Sequence, residues 1–235
     1  RTWSTNDAPQ VLRAARANGL TVMMGLDVAR ERHGFNYADP QAVVAQLQRL
    51  RADVLRYKDD PTVLLWGIGN ELNLEYTNPQ VWDAVNDIAK MIHEVDPNHP
   101  ASTVLAGAAP REVAFVKARC PAVDLLCLNT YAGHWESQQL PWKAAVEETS
   151  SQKAAVYRSR YEASVLQDKD HCLGAYVFLW GQKQERTPTW YGLFTEGGQE
   201  TEVVDVMQYL WSGRWPANRA PHIADLRLAG KQASD

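Results

Sequence analysis

Val63-Leu64-Leu65-Trp66-Gly67-Ile68-Gly69-Asn70-Glu71 is the stretch whose reading decides the fold. Val63 to Trp66 is a short, uninterrupted apolar run, too short for a helix and suited to a strand buried on both faces. Gly67 and Gly69 then thin the backbone, and the polar pair Asn70-Glu71 stands where the strand emerges. A carboxylate at the exit of a buried strand is costly unless something compensates it. Such an environment can raise a carboxyl pKa enough for the group to serve as a general acid. The competing reading of the same pattern is a strand that ends in an ordinary solvated loop.

On either side of that strand, apolar runs alternate with amphipathic stretches. A helix is expected from Asp7 or Ala8 to Asn18, where Asn18-Gly19 ends it. Leu20 to Leu26 reads as a strand ending at Asp27, followed by the polar loop Arg30-Glu31-Arg32-His33-Gly34-Phe35-Asn36-Tyr37, rich in groups able to contact a ligand. Asp39-Pro40 opens a long helix whose inner face carries Val43, Val44, Leu47, Leu50, Val54 and Leu55. Asn78-Pro79 starts another, with Val81, Trp82, Val85, Ile88, Ala89 and Ile92 inward, until Asp96-Pro97 breaks it. Further strands are expected at Ser102 to Leu105, Val123 to Leu128 and Leu173 to Trp180. Helices are expected at Pro110 to Arg119, at about Ser150 to Leu166 with Ala154, Ala155, Tyr157, Tyr161 and Val165 inward, and at Glu202 to Leu210. Strands alternating with helices imply crossover connections and a parallel sheet, an α/β fold. Asp27, Glu71, Asn129, Tyr131 and Trp180 all fall at strand exits, and in a (β/α)8 barrel that rim is where ligands bind.

Trp66-Gly67-Ile68-Gly69-Asn70-Glu71, preceded by Tyr57-Lys58-Asp59-Asp60-Pro61, resembles the fourth strand of the clan A retaining glycoside hydrolases, particularly the family 2 catalytic TIM barrels. The resemblance implies a (β/α)8 barrel acting on a β-linked oligosaccharide or other glycoside, without a metal or organic cofactor. Glu71 would be the general acid/base, and Asn70 would hold the hydroxyl next to the anomeric carbon. Arg1, Tyr131 and Trp180 would hold the sugar and orient a nucleophile, and Asp27 belongs to the same rim. Trp66 is read as packing.

A retaining glycosidase needs a second carboxyl group roughly 5 Å from the first, and the strand that carries it in this family is not found. Tyr131-Ala132-Gly133-His134-Trp135-Glu136 looks like strand six joined to the loop after strand seven, and the chain opens at the end of strand two. The expectation is therefore a truncated barrel over residues 1–214, lacking its first and seventh strands, followed by a linker and strand-like tail over 215–235. Glu136 is the nearest substitute nucleophile, although a solvated loop carboxylate is its plainer reading. Glu147 and Glu148 read as a helix lead-in, and Glu196 as an exposed turn residue. The alternative function is a carbohydrate-binding, catalytically impaired remnant of such a barrel.

Composition sets the outer limits. A chain of 235 residues can bury one substantial core. A net charge of −4 gives no reason to expect nucleic acid or an anionic membrane as partner, and no apolar run reaches transmembrane length. Cys120, Cys127 and Cys172 are an odd number without metal-type spacing, so no disulfide framework is expected. His93, Glu94 and His99 do not share a helix face at zinc-binding spacing. No signal peptide is visible, and Arg1-Thr2-Trp3 reads as the middle of something, which leaves the compartment open. Ile223 to Leu228 alternates like a half-buried strand, and an unpaired strand edge allows a homodimer through that arm.

Overall fold

The alternation of apolar runs and amphipathic stretches in the first part of the chain resolves into four β/α pairs. A computed structural model describes residues 1–107, 109–130, 148–185 and 187–225. The chain divides into two units, Arg1–Trp135 and Glu136–Asp235. In the first, α1 (Ala8–Ala17) precedes β1 (Val22–Leu26), a 3-10 turn (Glu31–His33), α2 (Pro40–Tyr57), β2 (Val63–Ile68), α3 (Gln80–Val95), β3 (Ala101–Ala106), α4 (Pro110–Arg119) and β4 (Leu125–Asn129). The strands lie in the order β1-β2-β3-β4, and every neighbouring pair is parallel. Consecutive parallel strands, each joined to the next by a helix, are the repeating unit of a (β/α)8 barrel.

Local chemistry explains most of the boundaries. The Asp39 carboxylate accepts from the backbone N–H groups of Gln41 and Ala42, and Pro40 occupies the first turn, where its missing N–H costs nothing. The α3 face expected from the sequence is the face observed: Val81, Trp82, Val85, Ile88, Ala89 and Ile92 are all buried. On α2 the expected stripe is too wide. Leu50 and Val54 are buried, whereas Val44 and Leu55 are exposed, and Gln46 and Tyr57 complete the inner face instead. The core formed between helices and sheet includes Met24, Leu26, Trp66, Ile68, Trp82 and Leu105.

Two polar features pin the sheet. Ser102 Oγ donates to the Trp66 carbonyl at 2.9 Å and Thr103 Oγ1 to the Ile68 carbonyl at 2.8 Å, so β3 holds β2 through side chains as well as backbone. Trp66, fully buried as packing, donates from Nε1 to the Asp96 carboxylate at 2.7 Å, and that carboxylate also meets His99 Nδ1 at 2.8 Å. His93, for its part, contacts Asp124 at 2.8 Å and Arg51 pairs with Glu94, so these groups serve the helix ends.

The second unit contains α5 (Ser150–Tyr161), which runs on through a π turn to Leu166, and α6 (Glu202–Ser212). Thr149 and Gln152 form a reciprocal cap at the start of α5. Ala154 is buried but Ala155, expected inward, is exposed. A core of Ala154, Leu193, Val203, Val204, Val206 and Met207 joins the two helices to the segment around Leu193.

The strand expected at Leu173 to Trp180 does not form. Among the described residues of this unit no strand lies beside it, and a run without a ladder must satisfy its backbone elsewhere. Leu179 exchanges backbone hydrogen bonds with Tyr191 and Leu193, and the Gly181 carbonyl accepts from Leu193 and Phe194. Leu173 and Tyr176 are left exposed.

Residues 215–221, expected as a linker, lie on α5 and α6. Arg158 sits over the Tyr209 ring at 5.7 Å, Tyr209 stacks on Trp215 at 4.4 Å and 10°, and Arg219 lies over Trp215 at 4.0 Å. Ile223 to Asp225 are irregular rather than strand, and the remainder of the expected strand is outside the described residues.

Removing the Asp96 carboxylate would strand the buried indole N–H. Asp96→Ala is expected to cost about 1–3 kcal/mol of stability, read as a lower urea midpoint, and an unchanged midpoint would contradict this account of β2.

Candidate active site

Glu71 follows β2 by three residues, half-buried where the backbone turns sharply. Gly69 (φ +69°) donates its N–H to the Leu26 carbonyl at 3.0 Å, and its left-handed conformation is one that glycine adopts freely. Glu71 itself also lies in the left-handed region, at φ +54°, which is uncommon outside glycine and costs on the order of 1 kcal/mol that its surroundings must offset. Those surroundings are visible. The Glu71 N–H donates to the Val104 carbonyl of β3 at 2.8 Å, and its carbonyl accepts from Arg32 Nη1 at 2.5 Å.

Four polar side chains converge at this point. Asn129, at the end of β4, donates from Nδ2 to Glu71 Oε1 at 2.8 Å and to Asn70 Oδ1 at 3.2 Å. Arg1 donates from Nη2 to Asn70 Oδ1 at 2.5 Å and from Nη1 to Asn129 Oδ1 at 3.4 Å. Arg1 reaches this place because the N-terminal segment lies along β1: Thr2 N–H donates to the Met23 carbonyl at 3.0 Å, and Gly25 N–H donates to Thr2 Oγ1 at 2.9 Å. Gly25 permits that approach, since a Cβ there would lie 2.4 Å from the Thr2 carbonyl oxygen. Among the described residues the Glu71 carboxylate forms no ion pair, and none of the side chains bonded to Asn70 or Glu71 is a carboxylate.

The sequence-expected residues separate clearly. Glu71, Asn70 and Arg1 come together, as does the strand-exit residue Asn129, which sequence reasoning placed at the rim without a role. Asp27 is exposed and joins only indirectly: it lies 3.9 Å from Arg30 Nη1, and Arg30 Nε donates to the Asn70 carbonyl at 3.3 Å. Trp180 belongs to the second unit, exposed, with its ring against Phe194 and Trp211. Tyr131 and Glu136 lie outside the described residues.

In the loop Arg30 to Tyr37, expected to be able to contact a ligand, the three charged residues brace the protein itself. Arg30, Glu31 and Arg32 turn towards protein backbone: the Glu31 carboxylate accepts from Thr77 Oγ1 at 2.6 Å, Thr77 N–H at 2.9 Å and Asn78 N–H at 3.0 Å. Three consecutive charged residues carried no sequence signal separating a ligand contact from a brace between loops.

A fold of parallel β/α units with polar groups at strand exits is common to many enzymes. The family model described as glycosyl hydrolases family 2, TIM barrel domain, matches residues 11–193. The chain belongs to that family. No curated protein matches it. Among solved structures, a glycosyl hydrolase family 2 member from Bacteroides cellulosilyticus DSM 14838 superposes with a TM-score of 0.57 at 17% identity, over 86% of this chain and 26% of that one. An FMN-binding beta-glucuronidase from Facaelibacterium prausnitzii L2-6 superposes with a TM-score of 0.50 at 16% identity, over 73% of this chain and 32% of that one. At those identities the likeness shows the fold, and the family 2 chain spans about a third or less of each neighbour's length.

The Thr77 hydroxyl, followed by the Asn78 and Thr77 backbone N–H groups, lowers the Glu31 pKa from its ordinary value of 4.5. A depressed folded-state pKa stabilises the protein above the unfolded value, and the contribution disappears as pH falls through the folded one. Glu31→Ala should therefore lower Tm at neutral pH. The gap to the unaltered protein should close as the pH is taken below 4.5, and a gap independent of pH would refute the role of the charged form.

Proposed function

We propose that this family 2 chain carries the acid/base part of a retaining β-glycoside hydrolase site, with Glu71 as the proton donor. The observation that supports the reading is the placement of one carboxyl group, without an ion pair among the described residues, on a rigid turn at the C-terminal end of β2. There Asn129 orients Oε1, while Val104 and Arg32 hold the peptide on either side.

The chemistry proceeds in two displacements. Glu71 gives its proton to the glycosidic oxygen as the bond to the anomeric carbon breaks, and a second carboxylate forms the glycosyl-enzyme intermediate. Glu71, now a carboxylate, takes a proton from water, which attacks the same carbon and releases the sugar. Asn129 stabilises the ionised form of Glu71 between the two steps. Asn70 Oδ1 is occupied by Arg1 and Asn129, so Asn70 offers its Nδ2 as donor to the hydroxyl beside the anomeric carbon. Two carboxyl groups and water suffice for this reaction. For the nucleophile the sequence offers Glu136, and for further substrate contacts Tyr131, Trp180 and Asp27; these assignments rest on the sequence and its resemblance alone.

The second reading, a carbohydrate-binding module with impaired turnover, draws on the lack of a second carboxylate among the described side chains bonded to Glu71 and Asn70. A panel of nitrophenyl β-glycosides, with the β-glucuronide included because one structural neighbour is a beta-glucuronidase, distinguishes them. Nitrophenol release above background supports the hydrolase, whereas saturable binding of the same sugars without release supports the module.

For the hydrolase, Glu71→Gln is expected to reduce kcat on substrates with poor leaving groups by about 10²–10⁴-fold. The loss should be much smaller for dinitrophenyl glycosides, whose departure needs no proton. Equal turnover by the variant and the unaltered protein on alkyl glycosides would end the assignment.

A further inference from the structure

The turn after β1 sends three successive side chains onto the segment that follows Asn70. Arg30 Nε donates to the Asn70 carbonyl at 3.3 Å, and Arg32 Nη1 to the carbonyls of Glu71 at 2.5 Å and Leu74 at 3.4 Å. Between the two arginines, Glu31 receives its three hydrogen bonds from Thr77 and Asn78. The segment so gripped has two residues in the left-handed region, Glu71 at φ +54° and Glu75 at φ +55°. Neither is glycine, so each conformation is stable only where other contacts over-determine it.

We infer that Arg32 is a positioning residue for Glu71: by bridging the Glu71 and Leu74 carbonyls it fixes the left-handed turn that aims the Glu71 carboxyl at Asn129. The inference deepens the acid/base reading of Glu71 and rests on it. A cationic donor suits the task, because charge-assisted hydrogen bonds are about twice as strong as neutral ones and a guanidinium can serve two carbonyls from a rigid plane. Lysine would keep the charge and lose that plane. Burial and the neighbouring Arg30 lower the Arg32 pKa, and the carboxylates of Glu71 and Glu75 push it back up, so the guanidinium also feels the group it positions. Glu71 Oε1 is bonded to Asn129 Nδ2 at 2.8 Å. The Asn129 side-chain amide is therefore a reporter of Glu71 orientation that Arg32 itself is not seen to touch.

The test uses the full chain labelled with ¹⁵N and ¹³C and needs no turnover. The Asn129 side-chain amide resonances and the Glu71 carboxyl titration are recorded for the unaltered protein, Arg32→Ala and Arg32→Lys. Both signals should move in Arg32→Ala and move less in Arg32→Lys. Added guanidinium ion should return those of Arg32→Ala towards the original positions. Where the alanine variant does not fold, Arg32→Lys is read against the same two signals. Unmoved signals in the folded variants overturn the inference. So does a displacement that guanidinium leaves unchanged, which would mark general loosening. Failure of the acid/base reading appears separately, as unaltered kinetics in Glu71→Gln.

Discussion

One primary amide, that of Asn129, ties the end of β4 to the end of β2 by donating to both Asn70 and Glu71. The two strands are not neighbours, since β3 lies between them. Alternate strands of a (β/α)8 barrel contribute side chains to the same interior layer, which is why such a bridge can form. It depends on register. Ser102 and Thr103 on β3 bond to the carbonyls of β2, the Val104 carbonyl accepts from Glu71, and Ser102 to Ala106 pair with Leu125 to Asn129. A slip of one residue in either pairing would carry Asn129 away from Glu71 and turn the strand's faces over.

β2 also divides its duties by end. At its C-terminal end the polar groups are held with one carboxyl left out of any described ion pair. Further back along the strand, Trp66 is bonded to the buried Asp96, which also binds His99. Barrel folds separate chemistry and stability in this way, placing ligand groups where strands end and structural groups where they begin. Arg1 belongs with the first set, although it stands in a segment without regular structure, because Gly25 lets that segment lie directly on β1.

The first unit was largely legible from residue patterns, because each element carried its own instructions. Asp39-Pro40 is a cap, the apolar spacing of α3 defines a face, and Val63 to Ile68 is an apolar run between turn signals, although Leu64 is exposed and the strand is not buried on both faces as expected. Glu71 stood out because a charged group at such an exit needs an explanation, and it lies beside Asn129, with Asn70 and Arg1 in the same cluster. Two readings failed, and a third segment took an unforeseen role, for one physical reason, which is that the outcome depends on what lies alongside. Leu173 to Trp180 has the composition of a strand but pairs with the segment around Tyr191 and Leu193 instead. Val44 and Leu55 have helical spacing yet fall outside the strip that the sheet covers. Arg30 to Arg32 has the character of a ligand-contacting loop, and its side chains bond to backbone groups and the Thr77 hydroxyl of another segment. No local rule decides between such outcomes, since the deciding partner is remote in the chain.

The layered side chains Arg158, Tyr209, Trp215 and Arg219 give residues 215–221 a mechanical character that their proline-containing composition does not suggest. Two aromatic rings in face contact, with a guanidinium outside each, resist both sliding and peeling, because either movement separates rings and cations together. A tug on this stretch would thus load α6 as a bracket loads a beam, where a slack tether would simply swing.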